Sequence, residues 1–198
     1  TLDLDRETMV EACERIVEPL REARSDLYLE AGAERSESES VLLTSGGTCQ
    51  SMRRTLWSLG GRAQRTEDTD MLFAGDARRW REMGDFWAPD EIAGEVLQDL
   101  RRAESQVEAP EGKVTAIWHP KALGRLLSAV FMGTNGRNVV KGDSPLAGRL
   151  GEKILSDAIT IHDNPHRDFA PGAVPLDADG IPTRPMIIVR RGVLEAFL

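Results

Sequence analysis

Two cysteines, Cys13 and Cys49, are all the sulfur chemistry this 198-residue sequence offers, and their separation matches no zinc-ligand pattern. Two such residues also make a poor disulfide framework, so the expectation is a reduced, cytoplasmic protein. There is no run of about 18 apolar residues, which excludes a helical membrane span. The opening stretch, TLDLDRETMVEACERI, is acidic and has no apolar centre, so it does not read as a signal peptide. A basic excess is missing too. The formal net charge is −8, the pI is near 5.0, and the arginines are dispersed among acids. A general nucleic-acid binder needs a basic footprint, so no nucleic-acid partner is expected. No internal repeat and no low-complexity tract are visible. What remains is a chain with ample apolar content (40%) for one large core or two small ones.

Taken in order, residues Asp5 to Arg24 place Met9, Val10, Cys13, Ile16, Val17 and Leu20 at helical spacing, with Pro19 kinking the helix or opening its last turn. LYLEA after Ser25-Asp26 is a candidate strand. Glu37–Thr44 and Cys49–Leu59 read as two further strands joined across Ser45-Gly46-Gly47, and Gly60-Gly61 reads as another turn before the short segment Arg62–Arg65. Thr66–Asp70 is polar and loop-like. The charged stretch Ala74–Asp85 is expected to be helical, with Trp80, Met83, Phe86 and Trp87 along one edge. Asp90–Glu104 is a clearer helix, carrying the stripe Ile92, Val96, Leu97 and Leu100 behind Pro89. EAPEG is the clearest linker. VTAIW then has a buried-strand pattern, His119-Pro120 opens a helix to about Met132, and Gly133–Gly142 reads as loop.

Residues Ser144 to Gly180 hold the densest set of motifs. Ser144 and Pro145 suit the start of a short helix, Ala158–Ile161 a strand, and Asp177-Ala178-Asp179-Gly180 a tight Asx-type turn, because the rest of a calcium loop is missing. Met186–Arg190 and Val193–Leu198 flank Arg191-Gly192 as a hairpin would. An open final strand would be an aggregation risk, so burial against a partner chain or a missing segment is expected. The fold class expected is α+β: an N-terminal helix plus antiparallel β meander over 1–107, a linker at 108–112, and a second β-rich portion with helices over 113–198.

The ordered series S-x-L-x-G-x-L-G-E-K, a strand ending in Asp163 and Pro165, D-x-D-G-x-P-T-R, and G-V-L-x-x-F-L resembles the central region of the TldD/PmbA family. Several spaced Gly, Pro and Asp positions match together over about Val114–Leu198. The Ser38-Glu39-Ser40 to Gly46 stretch also resembles the N-terminal region of that family, though as a short motif. The resemblance implies zinc peptidases and their metal-free paralogues. Zinc-bearing members carry H-E-x-x-x-H on the helix after His119-Pro120, which would fall on Ser128, Ala129 and Gly133. None of these is a histidine or glutamate, and zinc chemistry needs neutral imidazoles beside a carboxylate base. A further cysteine ligand of the family lies beyond the position of Leu198, so the chain is expected to be a naturally shortened member or a partial one.

The departure points to the PmbA (TldE) side of the family: a non-catalytic subunit, with no cofactor of its own, paired in a heterodimer with a larger zinc-bearing TldD-like chain. The expected substrate is a peptide, or an amide intermediate of natural-product biosynthesis. Ser128, among Leu126, Leu127, Val130 and Phe131, reads as a packing residue rather than a nucleophile. The alternative site is His162, Asp163, His166 and Asp168, dense enough to hold a metal for a stand-alone hydrolase. Pro165 denies it a regular helix, so a solvated loop with hydrogen-bonding aspartates is the plainer reading. A regulatory binding module, in line with an older description of the family as modulating DNA gyrase, is the third possibility. His119 reads as a cap. The four tryptophans read as core or interface anchors, and the Arg pairs 53-54, 78-79, 101-102 and 190-191 as solvated faces.

Overall fold

The computed structural model describes residues 5–82, 84, 87–105 and 107–198. The chain forms two units: residues 1–108 with 168–172, and residues 109–167 with 173–198. The architecture is α+β, as expected.

In the first unit, α1 (Arg6–Ala23) starts where the Asp5 carboxylate accepts the Thr8 N–H at 2.8 Å, satisfying a donor the helix itself leaves open. It continues one turn past Pro19, whose missing N–H is tolerated there. Ala12, Ile16 and Leu20 recur every four residues and are buried. Next come β1 (Leu27–Leu43), β2 (Cys49–Glu67) and β3 (Asp70–Trp80), an antiparallel sheet in the order β1-β2-β3. β1 and β2 pair without a register shift from Leu27↔Arg65 to Leu43↔Cys49, closing on Gly47 at φ +94°. The tight turn from β2 to β3 places Asp68 in the left-handed region at φ 51°. α2 (Pro89–Ala103) lays Ile92, Val96 and Leu100 into the same core. Trp57 and Trp87 meet edge to face at 6.5 Å, one of them in the core as the sequence suggests.

Three expectations are corrected here. LYLEA and Glu37–Thr44 are one continuous strand, not two. Gly60-Gly61 lies inside β2 rather than at a turn, because a side chain there has no room. A Cβ on Gly61 would intrude on Ile16 of α1, and one on Gly60 would come 2.7 Å from the Ala77 Cβ. These glycines allow close approach, not chain reversal. The charged stretch from Ala74 is strand β3, where Leu72 and Ala74 face the core while Met71 and Phe73 face water; the period-two alternation prevails over helix propensity. Met83, Asp85 and Phe86 of that call lie outside the described residues.

The second unit holds α3 (Pro120–Thr134), α4 (Gly136–Lys141) and the sheet β4 (Ile161–Asp163), β5 (Met186–Arg190), β6 (Val193–Leu194), in the order β4-β5-β6. Leu146, Ile188, Val189 and Leu194 form its core, with Ile154, Leu155, Ile161, Met186 and Phe197 around them. The β5–β6 turn is the expected Arg191-Gly192, at φ 46° and 80°, the double-positive geometry that matches strand twist.

Here too the sequence reading needs correction. VTAIW forms no strand, and Val114, Ile117 and Trp118 are exposed. Gly133–Gly142 is largely helix α4, because Asn135 caps it through the Arg137 N–H (3.0 Å) and Gly142 ends it in the left-handed region. Ser144-Pro145 begins a turn, not a helix. The strand expected at Ala158–Ile161 falls at Ile161–Asp163. The segment before it is held instead by the β5–β6 turn, Gly192 N–H to Ile159 O at 2.8 Å and Arg191 N–H to Thr160 Oγ1 at 3.1 Å. β6 stops at Leu194, since the next two amides both donate to Ile188 O.

Candidate functional site

Helix α3 carries Ser128, Ala129 and Gly133, the positions onto which the resemblance puts the zinc motif. His119 caps it: its ψ of 142° is extended, and its Nδ1 accepts the Lys121 N–H at 3.3 Å, with Pro120 at the first helical position. The imidazole is thereby used as a cap acceptor. In the middle of the helix, Ser128 is exposed and its Oγ donates to Arg125 O at 2.6 Å. It satisfies its own helix rather than packing among the leucines, which corrects the packing reading. Ala129 is exposed as well.

Gly133 differs from both. It is buried, and a Cβ there would come 2.9 Å from Leu146 Cδ1, so the 145–148 turn lies directly on the helix backbone. Ser144 fixes that approach. Its buried hydroxyl donates to Gly133 O at 2.5 Å and accepts the Leu146 N–H at 3.0 Å. Beyond it, Thr134 is fully buried; its O accepts the Leu198 N–H at 2.8 Å and the Gly136 N–H reaches Leu198 O at 2.6 Å. A hydroxyl committed to a backbone carbonyl, a methyl group and a glycine under a leucine supply no imidazole and no carboxylate. This donor set does not fit zinc.

The histidine loop is differently arranged. His162 is exposed on β4 and Asp163, the next residue along the strand, points to the opposite face. The His166 amide donates to Asn164 Oδ1 at 3.1 Å. Its ring Nε2 meets Thr183 Oγ1 at 3.1 Å, and that hydroxyl gives its proton to Val174 O at 2.5 Å. This contact ties the ring nitrogen into the loop. Asp168 belongs to the segment that groups with the first unit. Among the described residues, no group of three or more His, Cys, Asp or Glu side chains is placed to hold a metal ion. Asp177 closes its Asx turn as expected, its Oδ1 accepting the Asp179 and Ile181 amides at 2.9 and 2.8 Å.

A groove in the first unit escaped the sequence reading. It has a volume of about 480 Å³ and runs between α1 and β1, floored by Ala31 and Ala33 and walled by Met9, Val10, Cys13 and Val17. Burial, and secondarily Glu14, raise the Cys13 thiol above its ordinary range. The signal was present as a second apolar stripe on α1, beside the core stripe of Ala12, Ile16 and Leu20. Among the described residues, no helix is long and apolar enough to cross a membrane.

Comparison with known proteins places residues 111–198 in the family described as the PmbA/TldA metallopeptidase C-terminal domain. A metalloprotease of Archaeoglobus fulgidus is 30% identical over 111 residues, covering 55% of this chain and 26% of that protein. A metalloprotease of Methanothermobacter thermautotrophicus is 28% identical over 171 residues, 82% of this chain and 36% of that one. Among solved structures, a candidate modulator of DNA gyrase from Bacteroides thetaiotaomicron superposes with a TM-score of 0.89 at 26% identity, over 98% of this chain and 45% of that chain. TldE from Thermococcus kodakarensis superposes with a TM-score of 0.77 at 21% identity, over 99% and 45%. The chain thus spans less than half the length of these relatives.

Proposed function

We propose that this chain, whose residues 111–198 match the PmbA/TldA metallopeptidase C-terminal domain, is the non-catalytic, TldE-like component of a zinc metallopeptidase or amidohydrolase. Its partner is a larger TldD-like chain that bears the zinc, in a heterodimer that trims a peptide or a peptide-like biosynthetic intermediate. The observation that supports this reading lies on α3: Ser128, Ala129 and Gly133, the positions onto which the resemblance puts the zinc motif, carry groups that cannot bind zinc. Any metal-activated water, the usual nucleophile of such chemistry, is then supplied by the partner. This chain contributes binding surface and exclusion of solvent.

The runner-up, a stand-alone hydrolase built on His162, Asp163 and His166, is disfavoured by the engagement of His166 Nε2 with Thr183. The test is to purify the complex with His162→Ala and His166→Ala in this chain and assay peptide cleavage. Activity within about twofold of wild type is expected. A loss of two orders of magnitude or more, the usual consequence of removing a metal ligand or general base, would transfer the chemistry to this loop.

A further inference from the structure

We infer that the outer face of the β1-β2-β3 sheet, between Arg54 and Arg81, binds a carboxylate attached to an apolar body, as the C-terminus or an acidic side chain of a peptide is. The site lies in the first unit alone, so it stands or falls independently of the heterodimer reading.

Alternation assigns the faces. On β2, Leu59 and Ala63 are buried in the core with α1 and α2, so the even residues Met52, Arg54, Leu56 and Ser58 point the other way. The antiparallel register adds Ser36 and Ser38 of β1, opposite Leu56 and Arg54, and Arg79 of β3, opposite Ser58. Arg81 follows Trp80, where the pairing of β3 with β2 ends.

The four arginines of β2 are unequally provided for. Arg53 pairs with Glu37, Arg62 with Glu30 at 2.5 Å, and Arg65 with Glu67 at 3.9 Å. Arg54 is half-buried, yet its Nη2 donates to Met52 Sδ at 3.3 Å, a weak acceptor. Among the described residues Arg54 makes no ion pair. Its neighbour is a second cation: Arg81 is held below its ordinary pKa first by burial and then by the charge of Arg54. The Arg81 amide donates to Phe169 O at 3.3 Å and its Nη2 to Pro171 O at 2.5 Å, which fixes that guanidinium in place. Two guanidiniums thus share a partly dry site, and an anion between them relieves their repulsion.

The surroundings select the anion. Successive N–H groups of a strand point in opposite directions, so the sheet offers no nest of amides for a phosphate. A planar carboxylate suits the guanidinium fork. Leu56, half-buried, and Phe169, half exposed, supply apolar surface for the rest of the ligand. Ser38, exposed opposite Arg54, adds a hydroxyl that makes no hydrogen bond among the described residues. Glu34 stands opposite Ser58 on this face and Asp168 precedes Phe169; neither makes an ion pair among the described residues.

The test is a proton–nitrogen NMR titration of the 198-residue chain at constant ionic strength. The probes are N-acetylleucine, N-acetylglutamic acid α-amide, N-acetylleucinamide and inorganic phosphate. Saturable shifts at Ser38, Arg54 and Leu56 are expected with a carboxylate, at a dissociation constant of about 1–10 mM. Either carboxylate supports the inference, and the tighter one identifies a chain end or a side chain as the source. Phosphate should bind more weakly and the neutral amide not at all. Arg54→Gln should weaken binding at least about tenfold, the loss of a charge-assisted pair, with the spectrum elsewhere unchanged. Arg53→Gln, on the opposite face with its own carboxylate, should leave the affinity unaltered. Absence of saturation by about 50 mM overturns the inference. So does phosphate binding as tightly as the carboxylates, equal binding of the amide, or an equal effect of Arg53→Gln.

Discussion

The docking of α1 on the sheet depends on the absence of a side chain at Gly61, and replacing it with alanine measures that dependence. The added Cβ would overlap Ile16 Cγ2, and Ile16 is fully buried among Ala12, Leu20, Leu59 and Ala63. Forcing one methyl into a packed core costs about 1–3 kcal/mol. Against this, alanine restricts the unfolded chain and recovers roughly 0.5–1 kcal/mol of the entropy a strand glycine loses. Overpacking prevails, leaving a net loss of about 1–2 kcal/mol, which for a chain of this size lowers Tm by about 2–8 °C. Thermal melts of the whole chain provide the assay, with Gly94→Ala on α2 as the control. Nothing lies within 4 Å of a Cβ at Gly94, so alanine there should stabilise by about 0.5–1 kcal/mol. The interaction itself is read from Ile16→Ala. Alone it should cost about 2–5 kcal/mol. Combined with Gly61→Ala it should cost less than the sum by at least about 0.5 kcal/mol, because the new methyl occupies vacated space. A Gly61→Ala variant as stable as wild type, or strictly additive costs, would refute the packing argument.

Ser144→Ala should destabilise by about 1–3 kcal/mol in chemical denaturation, since it leaves the Gly133 carbonyl and the Leu146 amide without their buried partner; a neutral result would show water replacing the hydroxyl. The Asp5 carboxyl is held below its ordinary value of 3.8, chiefly by the Thr8 amide and then by the Thr8 hydroxyl. Its contribution to α1 is therefore present above that value and fades as the pH falls through the lower folded one. Wild type minus Asp5→Ala, compared by Tm, should show a gap at pH 6 that closes in acid; a gap independent of pH would assign the effect to helix propensity. Isolated wild-type chain, dialysed against zinc and then buffer, should retain no stoichiometric metal by mass spectrometry, whereas one retained zinc lost on His166→Ala would favour the loop as a site.

Much of the fold was legible, for identifiable reasons. Asp5 and His119 mark helix starts through capping hydrogen bonds and Pro89 and Pro120 through their fixed φ at the first turn, and α1, α2 and α3 begin within a residue of those signals. The Arg191-Gly192 turn was equally plain, because its dihedral demands are local. What failed depended on tertiary context. Gly60-Gly61 has the composition of a turn, and only the approach of Ile16 shows why the strand runs through it. VTAIW has the apolar run of a buried strand but forms no strand. The motif positions on α3 could be located from spacing alone, yet the contrast between exposed Ser128 and buried Gly133 required the turn at Ser144. The α1/β1 groove needed both elements at once, since one apolar stripe on α1 looks much like another until the core has claimed its own.

The most direct test of the central claim is native mass spectrometry of the protein isolated from its own source, with bound metal resolved. The account predicts a complex in which this chain is accompanied by a longer chain carrying one zinc, with no metal assigned to this chain. An assembly of this chain alone with one zinc per copy would contradict it, and the loop around His162 and His166 would become the active site.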